Sequence, residues 1–535
     1  MERPSLSRGS GRFGPPRRLG CLLAAIGGLW ATSATPSPAG AADRPNLLLI
    51  TADDMNWNAV GAFGCPVAGT TPNLDRLAAE GLRFERAHVT IAVCQPSRGA
   101  LMTGRYPHRS GGEGFFHLRL PGVPTLPDLL RRGGYRVGIL GKVGHSTPYG
   151  DFAWDMAHDQ PELGAGRNPA IYARYAKAFF EEAREAKRPF FLMANSHDPH
   201  RPFFGNDTAA WYQPGKNPPA ARPSRVFSPG EVEVPGFLPD LPDVRLEVSE
   251  YYASVRRCDD TVGALLAALR EAGAEADTLV AFLSDNGMAF PFAKTNCYLH
   301  STRTPWIIRW PGRVAPGSVD RDHFVSGIDW MPTALEAAGL PLPSGMDGAS
   351  FLPLLRGEPQ AGRDRVFTQF HQTSGRNLYP MRCVQTRRFG YIYNAWADGQ
   401  TVFRNESQAG RTMKAMQAAA ATDAALAARV ELFLQRVPEE LYDFQEDPDA
   451  LRNLAGDPAH RETLEAMRRD LEAWMEKTGD PALEAFRKRD DPAARASLLK
   501  QLETTQGGKT AGGGGKRKAA GRAKGGAPDE GTVEE

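Results

Sequence analysis

Six cysteines in 535 residues exclude more than they offer. Cys21, Cys65, Cys94, Cys258, Cys297 and Cys383 stand singly with no C-x-x-C pair, which rules out a disulfide-built scaffold and a zinc ribbon. Net charge is equally scarce: 64 basic residues against 62 acidic leave +2. A chain without a global field has no electrostatic call on nucleic acid or a membrane surface, so any attraction for an anion must be built locally. Long apolar runs are missing too. The run at 19–32 follows the basic residues Arg12, Arg17 and Arg18 and is too short to span a bilayer. With Ala39-Gly40-Ala41 behind it, the stretch 1–42 reads as a cleaved export signal, giving a periplasmic or secreted protein with no membrane span. Cys21 would leave with that signal. The remainder, with hydrophobic and charged residues at 41% and 24%, is ordinary for a soluble globular chain and long enough for a large core.

What is present is an alternation of strands and helices with polar residues placed just after the strands. Arg44-Pro45-Asn46 leads into the continuous apolar run 47–51, typical of a strand buried on both faces, and Asp53-Asp54 follows at its end. A helix opens at Thr71-Pro72. Further strands are expected at 135–140, before Gly141-Lys142-Val143-Gly144-His145, and at 189–194, before His197-Asp198-Pro199-His200. Others are expected at 277–283, before Ser284-Asp285-Asn286-Gly287, and at 305–310. Helices are expected at 172–186 and 246–272, the latter with Tyr252, Val255, Val262, Leu265, Leu266 and Leu269 on one face. Residues 203–243 form a Pro- and aromatic-rich irregular excursion. Four strand ends carrying Asp, Lys, His or Asn point to one site at the carboxyl edge of a mostly parallel sheet.

Beyond about residue 365 the pattern changes. Segments 366–370, 381–385 and 389–393 read as antiparallel strands, and 458–477 as a closing helix capped by Asp457 with Pro458 at its first position. The division is therefore 1–42 signal, 43–365 catalytic domain, 366–500 a smaller α+β domain, and 501–535 a Gly/Lys-rich disordered tail.

One stretch organises the rest: Cys94-Gln95-Pro96-Ser97-Arg98, continuing through Leu101 to Thr103-Gly104-Arg105. Alone, Cys94 would read as a buried cysteine before a helix. The whole stretch closely resembles the signature of the type I, formylglycine-dependent sulfatases. Glu440-Leu441-Tyr442-Asp443, Asp447-Pro448 and Asn453-Leu454-Ala455 resemble a segment of sulfatase C-terminal domains. The resemblance implies an α/β, alkaline-phosphatase-like sulfatase fold, with a smaller C-terminal domain of antiparallel sheet and closing helix. It also implies conversion of Cys94 to formylglycine by a maturation enzyme, the hydrated aldehyde supplying the nucleophile.

The same resemblance assigns the other groups. Asp53, Asp54, Asp285 and Asn286, with position 94, become ligands of one divalent cation; hard oxygen donors suit Ca2+, with Mg2+ second. By themselves Asp53-Asp54 could be a turn or helix cap, and Ser284-Asp285-Asn286-Gly287 a turn. Arg98, four residues after Cys94 and on the same helix face, is implied to hold the formylglycine hydroxyls. Lys142 is implied to bind sulfate, and His145 to accept the proton that drives sulfate elimination. Two residues separate this pair, where many members have one. His200 and Lys294 are implied to serve the leaving group.

Within the family, several segments are most similar to heparan N-sulfatase (sulfamidase): His197 to Arg201, Ser284 to Gly287 through Phe290-Pro291-Phe292, Thr295-Asn296 with Tyr298, and Tyr379-Pro380-Met381-Arg382 with Val384-Gln385. Between His371 and Tyr379 the sequence departs from that pattern. His371, Arg376 and Arg382 are candidate substrate contacts; His197 is carried with them, although a supporting role suits it better. The expected activity is hydrolysis of sulfate esters or sulfamates of glycosaminoglycan-like carbohydrates, N-sulfoglucosamine among them. Two alternatives stand beside it: a phosphoesterase or phosphonate hydrolase of the same superfold, and a non-catalytic glycan-binding relative.

Overall fold

The computed structural model describes residues 44–205 and 218–510. Residues 1–43, on which the expected export signal and Cys21 fall, residues 206–217, and residues 511–535 of the expected tail lie outside the described residues. Fourteen strands are present among these residues: β1 (Asn46–Ala52), β2 (Leu82–Phe84), β3 (Ala87–His88), β4 (Arg136–Leu140), β5 (Met156–His158), β6 (Phe190–Asn195), β7 (Thr278–Ser284), β8 (Trp306–Arg309), β9 (Ser318–Asp320), β10 (Val325–Ser326), β11 (Arg365–Gln372), β12 (Leu378–Thr386), β13 (Phe389–Asn394) and β14 (Glu439–Asp443).

Eight of them form the main sheet, in the order β5-β4-β6-β1-β7-β8-β2-β9. The five from β5 to β7 are mutually parallel, while β8 runs antiparallel to both β7 and β2. β1 lies between β6 and β7 and is fully buried from Leu47 to Ala52, which is why its sequence is continuously apolar rather than alternating. One parallel run has a direct consequence for function. The carboxyl ends of β4, β6, β1 and β7 are neighbours along one edge, so the residues that follow them must converge.

The helices Pro169–Glu185 and Pro242–Glu271 pack together beside the sheet. Both carry Pro in the first turn, where a missing N–H costs nothing. Val255, Val262, Leu265, Leu266 and Leu269 of the longer helix are buried, as its periodicity requires.

β11 to β14 make the antiparallel four-stranded sheet in sequence order, and the Glu440-Leu441-Tyr442-Asp443 segment is its fourth strand. Phe370, Tyr379 and Tyr442 from this sheet share one apolar cluster with Leu48, Ile50 and Phe282 from the main sheet. The boundary near 365 thus separates two sheets but not two cores. Asp457 accepts from the Ala459 N–H (3.0 Å) and caps a short turn, after which the closing helix runs Arg461–Thr478 and ends on Gly479 in a left-handed conformation. A last helix, Pro492–Thr510, extends past residue 500, where the disordered tail was expected to begin. Ala, Leu, Lys and Gln are strong helix formers, and Leu498 is buried with Leu502 packed behind it, which anchors the segment.

Candidate active site

The site is built from the strand ends inward. Asp53 and Asp54 follow β1 and are fully buried. Asp54 has φ of +69°, and Lys142, following β4, has φ of +50°. Such left-handed non-glycine residues persist only where the surrounding structure over-determines them, and they concentrate at functional sites. Gly141 must be glycine on two counts: its φ is +72°, and a Cβ there would lie 2.3 Å from the Asn195 carbonyl.

Cys94 is the first residue of the helix Cys94–Thr103, and its Sγ donates to Asp53 Oδ1 at 3.3 Å. Burial, reinforced by the charge of Asp53, pushes its thiol well above the ordinary cysteine range. Arg98, one turn on, is locked from both sides. Nε and Nη2 meet Asp285 Oδ2 at 2.9 and 2.6 Å, while Nη1 donates to Thr51 Oγ1 and Asn195 Oδ1, both at 2.7 Å. Lys142 Nζ sits 2.7 Å from Asp53 Oδ2. Lys294 Nζ sits 2.9 Å from Asp54 Oδ2 and 3.0 Å from Glu406 Oε1.

Three histidines behave differently. His200 Nδ1 lies 2.6 Å from the Arg201 carbonyl, which fixes the proton on Nδ1 and leaves Nε2 toward Asp54 and Glu406, 3.9 Å from each. Burial and Lys294 lower its pKa to about 4. His145 is lowered to about 3 by burial and Lys142, its Nδ1 has no partner, and Phe115 packs edge-on against its ring at 5.7 Å. His197 is buried, and its Nε2 accepts from the Lys142 N–H at 3.3 Å. It supports the lysine loop through this bond.

The three carboxylates are crowded in a dry place. Burial raises Asp54 to about 7 and Asp285 to about 8. For Asp53, Lys142, His200 and Arg98 outweigh burial and hold its pKa well below the usual range. Asn286 Nδ2 donates to Asp54 Oδ1 at 2.7 Å, while its buried Oδ1 has no hydrogen-bond partner. Ligand atoms of Asp53, Asp54, Cys94 and His200 lie within 4.8 Å of one another. Clustered hard oxygen donors with an orphaned amide oxygen fit a divalent cation held by Asp53, Asp54, Asp285 and Asn286.

The other expected substrate contacts divide. Arg382 is buried on β12 and paired through Nε and Nη2 with Asp480, so it is a structural residue and not a sugar ligand. His371 is buried with its Nε2 lacking a partner, and burial drives its pKa well below the ordinary value. Arg376 is exposed in the turn between β11 and β12, with φ of +62°. Neither has a described bond to the catalytic cluster. Three contributors escaped the sequence reading. Thr51 and Asn195, inside buried strands, orient Arg98. Glu406, from the short turn Glu406–Ala409, reaches Lys294 and His200, and no local motif marks it.

The sequence of the chain has counterparts among known proteins. The sulfatase family model matches residues 45–340, and that of the N-sulphoglucosamine sulphohydrolase C-terminal region matches 289–408. Human N-sulphoglucosamine sulphohydrolase is 32% identical over 466 residues, covering 82% of this chain and 91% of that protein.

The chain belongs to the sulfatase family.

This sulfatase is accordingly a hydrolase of sulfate esters or sulfamates, and its family uses a formylglycine and a divalent metal. An ulvan-active sulfatase of Formosa agariphila is 27% identical over 441 residues, covering 82% of this chain and 81% of that protein. Two solved structures share the fold. BT4656 in complex with its substrate D-glucosamine-2-N,6-O-disulfate has a TM-score of 0.61 at 20% identity, covering 82% of this chain and 98% of that one. The phosphonate monoester hydrolase of Agrobacterium radiobacter has a TM-score of 0.59 at 20% identity, covering 81% and 96%.

Proposed function

We propose that this sulfatase, exported and matured at Cys94, removes N-linked sulfate from glucosamine residues of sulfated glycans. The observation that carries this reading is the coincidence of 32% identity to human N-sulphoglucosamine sulphohydrolase with a match to that enzyme's C-terminal region across 289–408, the stretch that contributes Lys294 and Glu406. The export segment 1–42 supports an extracytoplasmic substrate, and among the described residues no helix is long and apolar enough to cross a membrane.

When present, formylglycine at position 94 supplies a geminal diol as oxygen nucleophile, and a cation, Ca2+ by the all-oxygen donor set, supplies positive charge at the sulfate. The remaining work falls to fixed side chains. Arg98, held by Thr51, Asn195 and Asp285, presents a rigid guanidinium beside position 94. Lys142 places an ammonium on the same side, which suits a sulfate oxygen. His145, uncharged at neutral pH, is a proton acceptor for release of sulfate. His200 and Lys294, both beside Asp54 and Glu406, are assigned to the leaving group.

A substrate panel tests this reading. N-sulfoglucosamine, glucosamine 6-O-sulfate and a phosphate monoester are assayed with the matured enzyme. The expected result is a kcat/KM for the N-sulfate at least about tenfold above the others, a difference of roughly 1.4 kcal/mol. Faster turnover of the O-sulfate would overturn the N-sulfate assignment, and faster turnover of the phosphate would favour phosphoryl transfer.

A further inference from the structure

Glu406 stands apart from the other carboxylates of the site. Asp53, Asp54 and Asp285 are fully buried, whereas the Glu406 side chain is 30% exposed, at the mouth of the cluster. Its Oε1 accepts from Lys294 Nζ at 3.0 Å, and its Oε2 lies 3.9 Å from His200 Nε2. Both neighbours are the groups that the proposed function assigns to the leaving group. Its position is fixed from the flanks. Asn405 Nδ2 donates to Thr295 Oγ1 at 2.7 Å, and the Thr412 N–H donates to Glu247 Oε2, also at 2.7 Å. The turn is therefore tied both to the segment that carries Lys294 and to the helix Pro242–Glu271.

A carboxylate there is an odd choice for a site that must receive an anion, because it repels the sulfate it borders. Its value lies with the product. When an O-sulfate is cleaved, the oxygen that departs becomes a neutral alcohol. When a sulfamate is cleaved, sulfur bonds to the nucleophilic oxygen and the S–N bond breaks with its electron pair left on nitrogen. That nitrogen takes one proton from the Lys294 ammonium to become an amine, and a second from solvent to become an ammonium. A fixed anion stabilises developing ammonium character through an ion pair as well as a hydrogen bond, whereas a neutral alcohol can offer it the hydrogen bond alone.

We propose that Glu406 is a specificity-determining residue that favours nitrogen-linked over oxygen-linked sulfate by pairing with the amine as it leaves. The proposal rests on the N-sulfate reading above and adds the residue that enforces it.

The test uses the full-length matured enzyme with Glu406→Gln and Glu406→Asp, each first shown by thermal melting to be folded. Two quantities are read. One is the ratio of kcat/KM for N-sulfoglucosamine to that for glucosamine 6-O-sulfate; the other is product inhibition by glucosamine, with neutral N-acetylglucosamine as control. In Glu406→Gln the ratio is expected to fall at least about tenfold and glucosamine inhibition to weaken by a similar factor, with partial recovery in Glu406→Asp. N-acetylglucosamine inhibition is expected to stay within about twofold. An equal loss on both substrates with unchanged glucosamine inhibition would overturn the proposal and reduce Glu406 to a support for Lys294. Failure of the N-sulfate reading shows separately, as a wild-type enzyme that cleaves only the O-sulfate.

Discussion

An unmodified cysteine is a poor nucleophile at position 94. Thiolate chemistry needs a lowered pKa, and here burial and Asp53 push the thiol the other way. The thiol itself is thus no activated nucleophile, which accords with a family that uses a formylglycine. Cys94→Ala is therefore expected to lose turnover by about a thousandfold or more while keeping the wild-type melting temperature. Peptide mass spectrometry of the active wild-type enzyme should find an aldehyde at position 94; full activity in an unmodified or alanine-substituted protein would refute the assignment. Arg98 makes the complementary point. Its three anchors leave its guanidinium no freedom, so it contributes a preorganised charge rather than a searching one.

Among the elements, β12 and the closing helix carry the clearest revision. Arg382 on β12 sits in a segment similar to sulfamidases, and that placement suggested a sugar contact. The structure instead pairs it with Asp480, just beyond the end of the helix Arg461–Thr478, with both partners buried. The pair ties the small sheet to its covering helix. Breaking a buried pair from one side costs about 3–5 kcal/mol, because the remaining charge is stranded. Arg382→Ala should therefore lower the melting temperature sharply, and Asp480→Asn should do so in a pH-dependent way. Burial alone would raise the Asp480 pKa, but Arg382 and His108 outweigh it and hold it below the ordinary value. A depressed acid stabilises above its unfolded pKa, near 3.9, and that contribution is lost as pH falls through the folded value. The gap in melting temperature between wild type and Asp480→Asn should accordingly be largest above about pH 4 and shrink below it. A gap independent of pH would show that the ion pair is not its source.

For the whole molecule, a net charge of +2 hides a concentrated local field. Lys142, Lys294 and Arg98 are buried around three carboxylates whose mutual repulsion and desolvation raise two of them. A divalent cation bound there relieves that repulsion in the folded state alone, so it must stabilise the fold by mass action. Chelation is expected to abolish turnover and to lower the melting temperature by several degrees, with Ca2+ restoring both more fully than Mg2+. An unchanged melting temperature after complete metal removal would count against this cluster as the cation site.

Much of this was legible from the residue order, and the reason is local. A strand buried on both faces must be continuously apolar, so β1, β4, β6 and β7 announced themselves; β1, β4 and β7 hand their chemistry to the next one or two residues, Asp53-Asp54, Lys142 and Asp285-Asn286, and His200 lies five residues beyond β6. The helix after Cys94 returns Arg98 to the same face by its own periodicity. Position 94 and its partners could be named because short-range geometry and a recognisable signature specify them. What only the tertiary structure decided is how distant segments meet. Glu406 lies 112 residues from Lys294, on a turn with no pattern of its own, and Arg382 resembled a ligand until Asp480 came across from another element to claim it. Contacts of that kind depend on strand order and on which sheet faces which helix, and a side chain's role there is set by whatever charge the packing places beside it. The residue order thus picked out the candidate catalytic set, while the fold decided which charged groups border it and which are spent holding the molecule together.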